Sequence, residues 1–237
     1  MPLPRLTPIR RTDTHRLVPS RHSRDSVLAR IADDDAHLRD LFDIDQATNE
    51  RLAAEHGALP GIGPHDLVFG VPYASIVNAA FCHPHPLGGR FNGPERGAWY
   101  AAFELESAQA EVAFHKSVEL AEIGVWNESV TYDDYLADFS TTFHDLRRDA
   151  RFADCLAPDS YRASQRLADR LLAEGSAGVV YPSVRRAKGT CLACFRPPLV
   201  AHVRRGATWR FTWSGSETPA IVREARSTRG ARVIQPV

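Results

Sequence analysis

The chain has 237 residues, and its 29 lysines and arginines balance 29 aspartates and glutamates. This length can bury a sizeable core in one or two domains, and the charge balance argues against a basic face that binds nucleic acid or an anionic membrane. No apolar run reaches the roughly 18 residues of a membrane span, and the start of the chain lacks the apolar core of a signal peptide. We therefore expect a soluble, cytoplasmic protein.

The first third of the chain predicts an extended arm followed by helices. Residues 1–23 are rich in proline and arginine, with one short apolar piece that predicts a brief strand. Apolar residues then recur at helical spacing, and a second helix is predicted over residues 46–55. Residues 57–72 are rich in glycine and proline and predict a loop. We interpret residues 1–72 as an arm and helical extension packed on a core.

The stretch from residue 88 to residue 103 predicts a strand, a tight turn and a second strand. A helix follows, with Ser107 as its N-cap and its end near Ile123. Glu111 and His115 are four residues apart and therefore share one face of this helix. They border a predicted apolar stripe, which consists of Ala110, Phe114, Val118 and Ala121. The preceding apolar stretch, residues 73–81, fits a strand or a helix equally well.

The last third predicts the rest of a sheet. Residues 130–146 predict strands that carry exposed aspartates, and a helix capped by Asp159 and Ser160 ends at Gly175. A buried strand follows and is interrupted by Pro182, which leaves the Ser183 hydroxyl free to face a ligand. Strands over 191–195, 199–204 and 208–213 complete the sheet. The domain organisation is then a core over residues 73–215 and a polar tail over residues 216–237.

The cysteines and histidines give no convincing metal site. Cys191 and Cys194 have a spacing that suits a redox pair or half a zinc site, but the chain offers no second pair. Their flanks predict a strand that runs into a proline-rich turn, which favours structural thiols. His83 and His85 lack a third ligand nearby in sequence. We predict no metal and no cofactor.

The remaining polar residues suggest a nucleotide substrate. Arginines on short strands can bind phosphate or pyrophosphate in a bidentate fork, and aromatic rings beside them can stack on a planar base. A carboxylate can stabilise the positive charge that grows on a ribose ring when its glycosidic bond stretches. The motifs for dinucleotide redox chemistry, phosphoryl transfer and serine hydrolysis are all absent. These groups fit a nucleotide with a labile glycosidic bond.

Several short pieces together resemble the RES domain, a family named for an arginine, a glutamate and a serine. They are Gly89–Asn92, Tyr100, Glu111 eleven residues later, and Tyr181–Arg185, with His15–Leu17 near the start. The resemblance extends from about Arg16 to Trp213. It implies an α+β fold with a mixed, split sheet flanked by helices, similar to ADP-ribosyltransferases, here with an N-terminal helical extension. It also implies an enzyme that cleaves the nicotinamide–ribose bond of NAD, as the toxin of a toxin–antitoxin pair.

The resemblance assigns roles by position. The catalytic residues it implies are Arg16, Tyr100, Glu111 and Ser183, with Arg90 as the competing candidate for the arginine. The substrate-binding residues are Arg90, Phe91, Asn92, His115, Tyr181 and Arg185. NAD is the substrate, and the implied partner is a helical DNA-binding antitoxin; direct nucleic-acid contact and membrane contact are not expected, and a homo-oligomer stays open.

Three functions stay open at this point. Water or phosphate as the acceptor makes the protein an NAD glycohydrolase or phosphorylase. A protein acceptor makes it an ADP-ribosyltransferase. The third is a non-enzymatic module that binds a partner through its N-terminal helices.

Overall fold

The computed structural model describes residues 3–23 and 61–225. Within them, helices flank one β-sheet, in agreement with the predicted α+β class. The helices are α1 (Ser20–Ser23), α2 (Ala74–Cys82), α3 (Leu105–Ile123) and α4 (Arg162–Ala173). The ambiguous stretch over residues 73–81 therefore forms a helix. The predicted N-terminal helical extension, and the tail beyond residue 225, lie outside the described residues.

Seven strands form the sheet, which is mixed as predicted. They are β1 (Leu6–Pro19), β2 (Trp99–Ala102), β3 (Asn127–Asp145), β4 (Gly178–Pro182), β5 (Thr190–Cys194), β6 (Ala201–Ser214) and β7 (Ala220–Arg223). Their order is β1-β2-β5-β4-β3-β6-β7, and β1 also pairs with β3. Every pairing is antiparallel except that of β3 with β4, which is parallel.

The long strand β3 organises the sheet. It pairs with β1 over residues 132–144, with β6 over residues 127–138, and with β4 at residues 144 and 145. Because β2 links β1 to β5, and β5 links to β4, the pairings of five strands close into a ring. The sheet thus branches at β3 while all seven strands stay connected.

The segment that leads into α3 differs from the prediction in two ways. Its first predicted strand is a turn, with one isolated bridge between Gly89 and Asn92, and only β2 is a strand. The helix begins at Leu105, with Glu104 as its N-cap, so Ser107 lies inside the first turn. The Ser107 hydroxyl donates to the Glu104 carboxylate at 2.9 Å, which occupies the hydroxyl expected to cap the helix.

The buried face of α3 was also predicted wrongly. Its fully buried residues are Ser107, Ala108 and Leu120, whereas Val118 of the predicted stripe is 42% exposed. Alanines occur on both faces of this helix, so its apolar periodicity does not single out one stripe. The predicted end at Ile123 is confirmed, because Gly124 takes the left-handed conformation that ends many helices.

The aspartates of β3 are not on the surface as predicted. Asp133 and Asp134 are buried. Asp133 is paired with Arg205 at 2.7 Å and Asp134 with His15 at 2.8 Å. Both partners lie far away in the sequence, on β6 and β1. Buried carboxylates are retained where such partners replace the lost water, and no local pattern predicts them.

Three strand predictions near the termini were too short. The predicted brief strand of the arm is the 14-residue β1, and the two predicted strands over 199–213 are the single strand β6. Part of the predicted polar tail forms β7, which pairs with β6. The predicted domain boundaries stay predictions, although β1 and the strands of the predicted core belong to one sheet.

The core consists of two clusters on opposite faces of the central strands. Cys191 and Ala193 of β5 belong to the first cluster, with Phe91 and Tyr181, and α3 and α4 pack there. Leu192 and Cys194 belong to the second cluster, with Trp99. None of the helices in residues 3–23 and 61–225 is long and apolar enough to cross a membrane.

Candidate active site

Glu111 and Ser183 form a direct hydrogen bond at the centre of the candidate site. The Ser183 hydroxyl donates to Oε1 of Glu111 at 2.8 Å. The same hydroxyl oxygen accepts the backbone N–H groups of Arg185 at 3.2 Å and Arg186 at 3.0 Å. The hydroxyl hydrogen is therefore directed at the carboxylate, and this hydrogen bond favours one orientation of Glu111.

The local chain explains why Ser183 is available there. Pro182 ends β4, as predicted, and the turn that follows closes with a hydrogen bond from the Ser183 N–H to the Gly189 carbonyl at 2.9 Å. Gly189 is enclosed, and a Cβ at this position would collide with the Ser107 hydroxyl and press on Ser183. The turn thus packs tightly against the first turns of α3, which carries Glu111.

Tyr100, Asn92 and Phe91 form a second network next to this pair. The Tyr100 hydroxyl donates to Oδ1 of Asn92 at 2.8 Å and accepts the N–H of Phe91 at 2.7 Å. Asn92 in turn donates to the carbonyls of Gly93 and Arg96. Burial raises the pKa of Tyr100, so its hydroxyl stays protonated and acts as a structural donor. The network fixes the Tyr100 ring.

Tyr181 packs on Phe91 of the second network and lies near Glu111 of the first. Its ring packs on that of Phe91, with 4.7 Å between the centroids, and both rings are buried. Burial raises the pKa of Tyr181, and the neighbouring charges of Cys191 and Glu111 raise it further. The Cys191 thiol lies 3.9 Å from Oε1 of Glu111. Burial, and then the Glu111 charge, raise its pKa as well. Tyr181 and Cys191 thus lie beside the Glu111 carboxylate.

Arg90 is buried and already uses its guanidinium within the protein. Its Nη1 donates to the carbonyl of Ala157 at 2.8 Å and to that of Cys155 at 3.3 Å. The guanidinium carbon lies 4.7 Å from the centre of the Tyr161 ring. Arg90 therefore ties the turn before β2 to the segment before α4, and only part of its donor capacity is left for a ligand.

Arg16 contacts Tyr100 through the backbone, not through the ring. Its Nη1 donates to the Tyr100 carbonyl at 3.1 Å, and its guanidinium carbon lies 4.9 Å from the centre of the Trp99 ring. Trp99 packs in the second core cluster, whereas Tyr100 packs against the first. Burial lowers the pKa of Arg16 to about 10. The Arg16 guanidinium thus lies on the face of β2 that carries Trp99, opposite to the face that carries the Tyr100 ring.

Arg185 contacts the Glu111 side of the site through its backbone, and its guanidinium packs on the helix that carries Glu111. Its backbone N–H donates to Ser183, its Nη2 donates to the Pro158 carbonyl at 2.7 Å, and its guanidinium carbon lies 3.2 Å from the centre of the Phe114 ring. His115, four residues after Glu111, is exposed. Desolvation lowers the pKa of His115, while the charge of Glu111 raises it.

Three residues outside the predicted site, Glu104, Ser107 and Gln165, hold these groups in place. Oε2 of Glu104 accepts hydrogen bonds from the Ser107 hydroxyl and, at 3.0 Å, from the Thr190 N–H. Glu104 and Ser107 have the reverse order of a capping box, which is a local signal that could have found them. Nε2 of Gln165 donates to the carbonyls of Leu87 and Gly89, and no sequence pattern indicates this contact.

The thiols and imidazoles form no metal centre in the part of the chain that the structure describes. No group of three or more histidines, cysteines, aspartates or glutamates there is arranged to hold a metal ion. Cys191 and Cys194 are both buried and free, and they face opposite sides of β5. Successive positions of a strand alternate between its faces, so a spacing of three separates the two thiols.

Comparison with known proteins gives one family match. The model of the RES domain matches residues 67–214, which is more than half of the chain. No curated protein matches the chain. Among solved structures, the chain is similar to a chain of the M. tuberculosis MbcT–MbcA toxin–antitoxin complex, with 16% sequence identity and a TM-score of 0.45. That alignment covers 86% of this chain and 87% of the other.

Proposed function

Because the chain belongs to the RES domain family, we propose that it is an enzyme that cleaves the bond between nicotinamide and ribose in NAD. The observation that supports this proposal most directly is the hydrogen bond between Ser183 and Glu111 at 2.8 Å. The two residues are those that the sequence analysis assigned to the family's serine and glutamate. They lie 72 positions apart in the chain, yet they form one unit.

In this proposal Glu111 stabilises the ribosyl cation. Positive charge grows on the ribose ring as the bond to nicotinamide stretches, and a fixed carboxylate beside it lowers the energy of that state more than the energy of bound NAD. Ser183 acts as a positioning residue, because its hydroxyl donates to Glu111 while two backbone N–H groups hold its oxygen. The hydrogen bond therefore orients the carboxylate before the substrate arrives.

Tyr100 is the proposed contact for the nicotinamide end. Both hydrogen-bonding positions of its hydroxyl are occupied by Phe91 and Asn92, so the ring, and not the hydroxyl, is the part offered to a ligand. Aromatic faces stack on planar rings such as a pyridine. We expect the substrate to lie between this ring and Glu111.

Arginine is the side chain best suited to bind the pyrophosphate of NAD, because its guanidinium donates two parallel hydrogen bonds. Arg185 is the strongest candidate by its contacts, because it adjoins Ser183 and packs on Phe114 of the helix that carries Glu111. Arg16 is the arginine that the family resemblance selects, but it packs on Trp99. Comparing Arg16→Ala with Arg185→Ala separates the two: the arginine that binds the phosphates raises the KM for NAD when it is lost.

The biological setting that we propose is that of the toxin of a toxin–antitoxin pair, with an antitoxin protein that blocks the site. This part rests on the family resemblance, and its test is separate from that of the chemistry. Expression of the chain should lower cellular NAD and arrest growth, and co-expression of the antitoxin protein should relieve the arrest. Growth arrest without NAD loss would contradict it.

The experiment that tests the activity identifies the products formed from NAD. Purified protein is incubated with NAD in buffers with and without phosphate, and nicotinamide and the adenine-containing product are separated by chromatography. Free ADP-ribose indicates water as the acceptor, and its phosphorylated form indicates phosphate. A protein acceptor would instead give ADP-ribosylated peptides by mass spectrometry. If nicotinamide is not released under any of these conditions, the proposal is overturned.

A further inference from the structure

A concavity separate from the candidate active site carries two arginines. Its volume is about 370 Å3, and it lies between the segment around Asp66, the end of α4 and the turn that joins β5 to β6. Arg96 and Arg196 both line it. None of the predicted catalytic or substrate-binding residues does. Volumes in this range are typical of small-molecule sites.

Hydrogen bonds to the described residues occupy only part of the donor capacity of both guanidiniums. Each arginine has five N–H donors. Arg96 uses one from each terminal nitrogen, toward the carbonyls of Gly61 at 3.3 Å and Phe195 at 2.6 Å. Arg196 uses two, toward the carbonyls of Ser176 at 3.4 Å and Gly175 at 2.9 Å. These four hydrogen bonds fix both side chains by backbone groups, so the remaining donors are held in place.

The charge of the concavity is unbalanced. Among the described residues, two guanidiniums and one carboxylate, that of Asp66, line it. Burial lowers the pKa of Arg96; the Asp66 charge opposes this shift, and the Arg196 charge adds to it. Two like charges held close together repel each other unless an anion lies between them. Fixed guanidiniums with spare donors are the usual means of binding phosphate oxygens.

Leu172, Pro198 and Leu199 form an apolar part of the wall. A phosphate group alone leaves most of the volume empty. We propose that this concavity binds a phosphate group through Arg96 and Arg196, with room for a sugar-sized body against the apolar wall. The occupant is therefore inorganic phosphate or a small organic monophosphate.

This site adjoins the candidate active site through one segment. The Arg96 carbonyl accepts a hydrogen bond from Asn92 at 3.0 Å, and Asn92 accepts one from the Tyr100 hydroxyl. Binding at Arg96 is expected to restrain the segment that positions the Tyr100 ring. The binding test nevertheless needs no NAD, so its result does not depend on the proposed cleavage reaction.

Isothermal titration calorimetry of the purified chain tests the proposal with three probes: inorganic phosphate, ribose 5-phosphate and ribose. We expect saturable, salt-sensitive binding of both phosphates and none of ribose. Equal affinities identify inorganic phosphate as the occupant, and tighter binding of the ester identifies an organic monophosphate. Arg196→Gln should weaken binding at least about tenfold, since it removes charge-assisted hydrogen bonds. Arg223→Gln, which removes the same charge from exposed β7, is the matched control and should bind as the parent does.

A second variant, which is expected to bind phosphate more tightly, controls for loss of binding through misfolding. Asp66→Asn removes the opposing charge while its amide oxygen can still accept the Gly63 N–H, now bound at 3.0 Å. It should tighten phosphate binding several-fold. The proposal is overturned if neither phosphate binds at millimolar concentration, or if Arg196→Gln and Asp66→Asn both leave the affinity unchanged.

Discussion

Replacing Ser183 by alanine tests the link between the architecture of the site and its activity. The hydroxyl makes one hydrogen bond to the Glu111 carboxylate at 2.8 Å and accepts two from the backbone at 3.2 Å and 3.0 Å. A neutral hydrogen bond contributes about 1 kcal/mol net and one to a charged group about 1.5–3 kcal/mol. Because Ser183 is only half-buried, water can replace part of this. We expect Ser183→Ala to lower the free energy of unfolding by about 2 kcal/mol.

The loss of activity should exceed the loss of stability. Without the hydroxyl, the Cys191 thiol at 3.9 Å is the one side-chain donor that Glu111 keeps among the described residues. Misplacement of a catalytic group by about 1 Å can cost about a hundredfold in rate. We therefore expect nicotinamide release from NAD to fall by about a hundredfold, mainly in kcat. Urea unfolding and chromatographic detection of nicotinamide give the two values.

The matched control is a serine on α3, the helix that carries Glu111. Ser117 donates to the Glu217 carbonyl at 2.6 Å and accepts from Nε1 of Trp213 at 3.0 Å, so Ser117→Ala likewise removes a hydroxyl that both donates and accepts. It should lower stability by about 1–2 kcal/mol and leave nicotinamide release unchanged. If both variants lose activity in proportion to stability, or if Ser183→Ala keeps full activity, Ser183 does not position Glu111.

Three further predictions concern single residues. Gly189→Ala should lower stability by about 1–3 kcal/mol and reduce NAD cleavage, because the new Cβ collides with Ser107 and presses on Ser183; urea unfolding with parent stability would contradict this. Tyr100→Phe should cost about 2–3 kcal/mol, since it leaves both partners of the hydroxyl unsatisfied, and an unchanged unfolding midpoint would argue against the network. Burial lowers the pKa of His144, so the unfolded chain binds this proton at a higher pH than the folded chain does. Stability should therefore fall as the pH drops below about 6.5, and His144→Gln should reduce that fall between pH 7.5 and 5.5.

The parts of the fold that local chemistry dictates were predictable from the sequence. Helices α3 and α4 end at glycines that take the left-handed conformation: Gly124 with a φ of 68° just after α3, and Gly175 with a φ of 73° two residues after α4. The buried strand before Pro182 was likewise predictable, because proline cannot continue a ladder of backbone hydrogen bonds. Each of these signals lies within a few residues of the feature it predicts.

The parts that depend on distant partners were not predictable. The length of β1 was hidden because a bulge between Arg11 and Thr14 interrupts the alternation of buried and exposed residues. Arg90 looked like a ligand-binding arginine, yet its carbonyl partners lie 65 and 67 residues away. Only the assembled chain reveals these contacts.

In the candidate site, too, local features were predictable and contacts between distant residues were not. The spacing from Tyr100 to Glu111, and the serine after Pro182, indicated the residues, but not which of them touch. The structure brings Glu111 and Ser183 together and keeps Arg16 on the Trp99 side of β2. A side chain as long as arginine reaches several neighbours from one backbone position, so its position in the sequence alone does not fix its contacts.

The rate of nicotinamide release from NAD by Glu111→Gln tests most directly whether the Glu111 carboxylate stabilises the ribosyl cation. This change removes the charge while its amide oxygen can still accept from Ser183, so the fold should be kept. Glu119→Gln, at an exposed position of the same helix, is the control. We expect release by the parent and by Glu119→Gln, and a rate at least about a hundredfold lower in Glu111→Gln. Equal rates in all three proteins would contradict it.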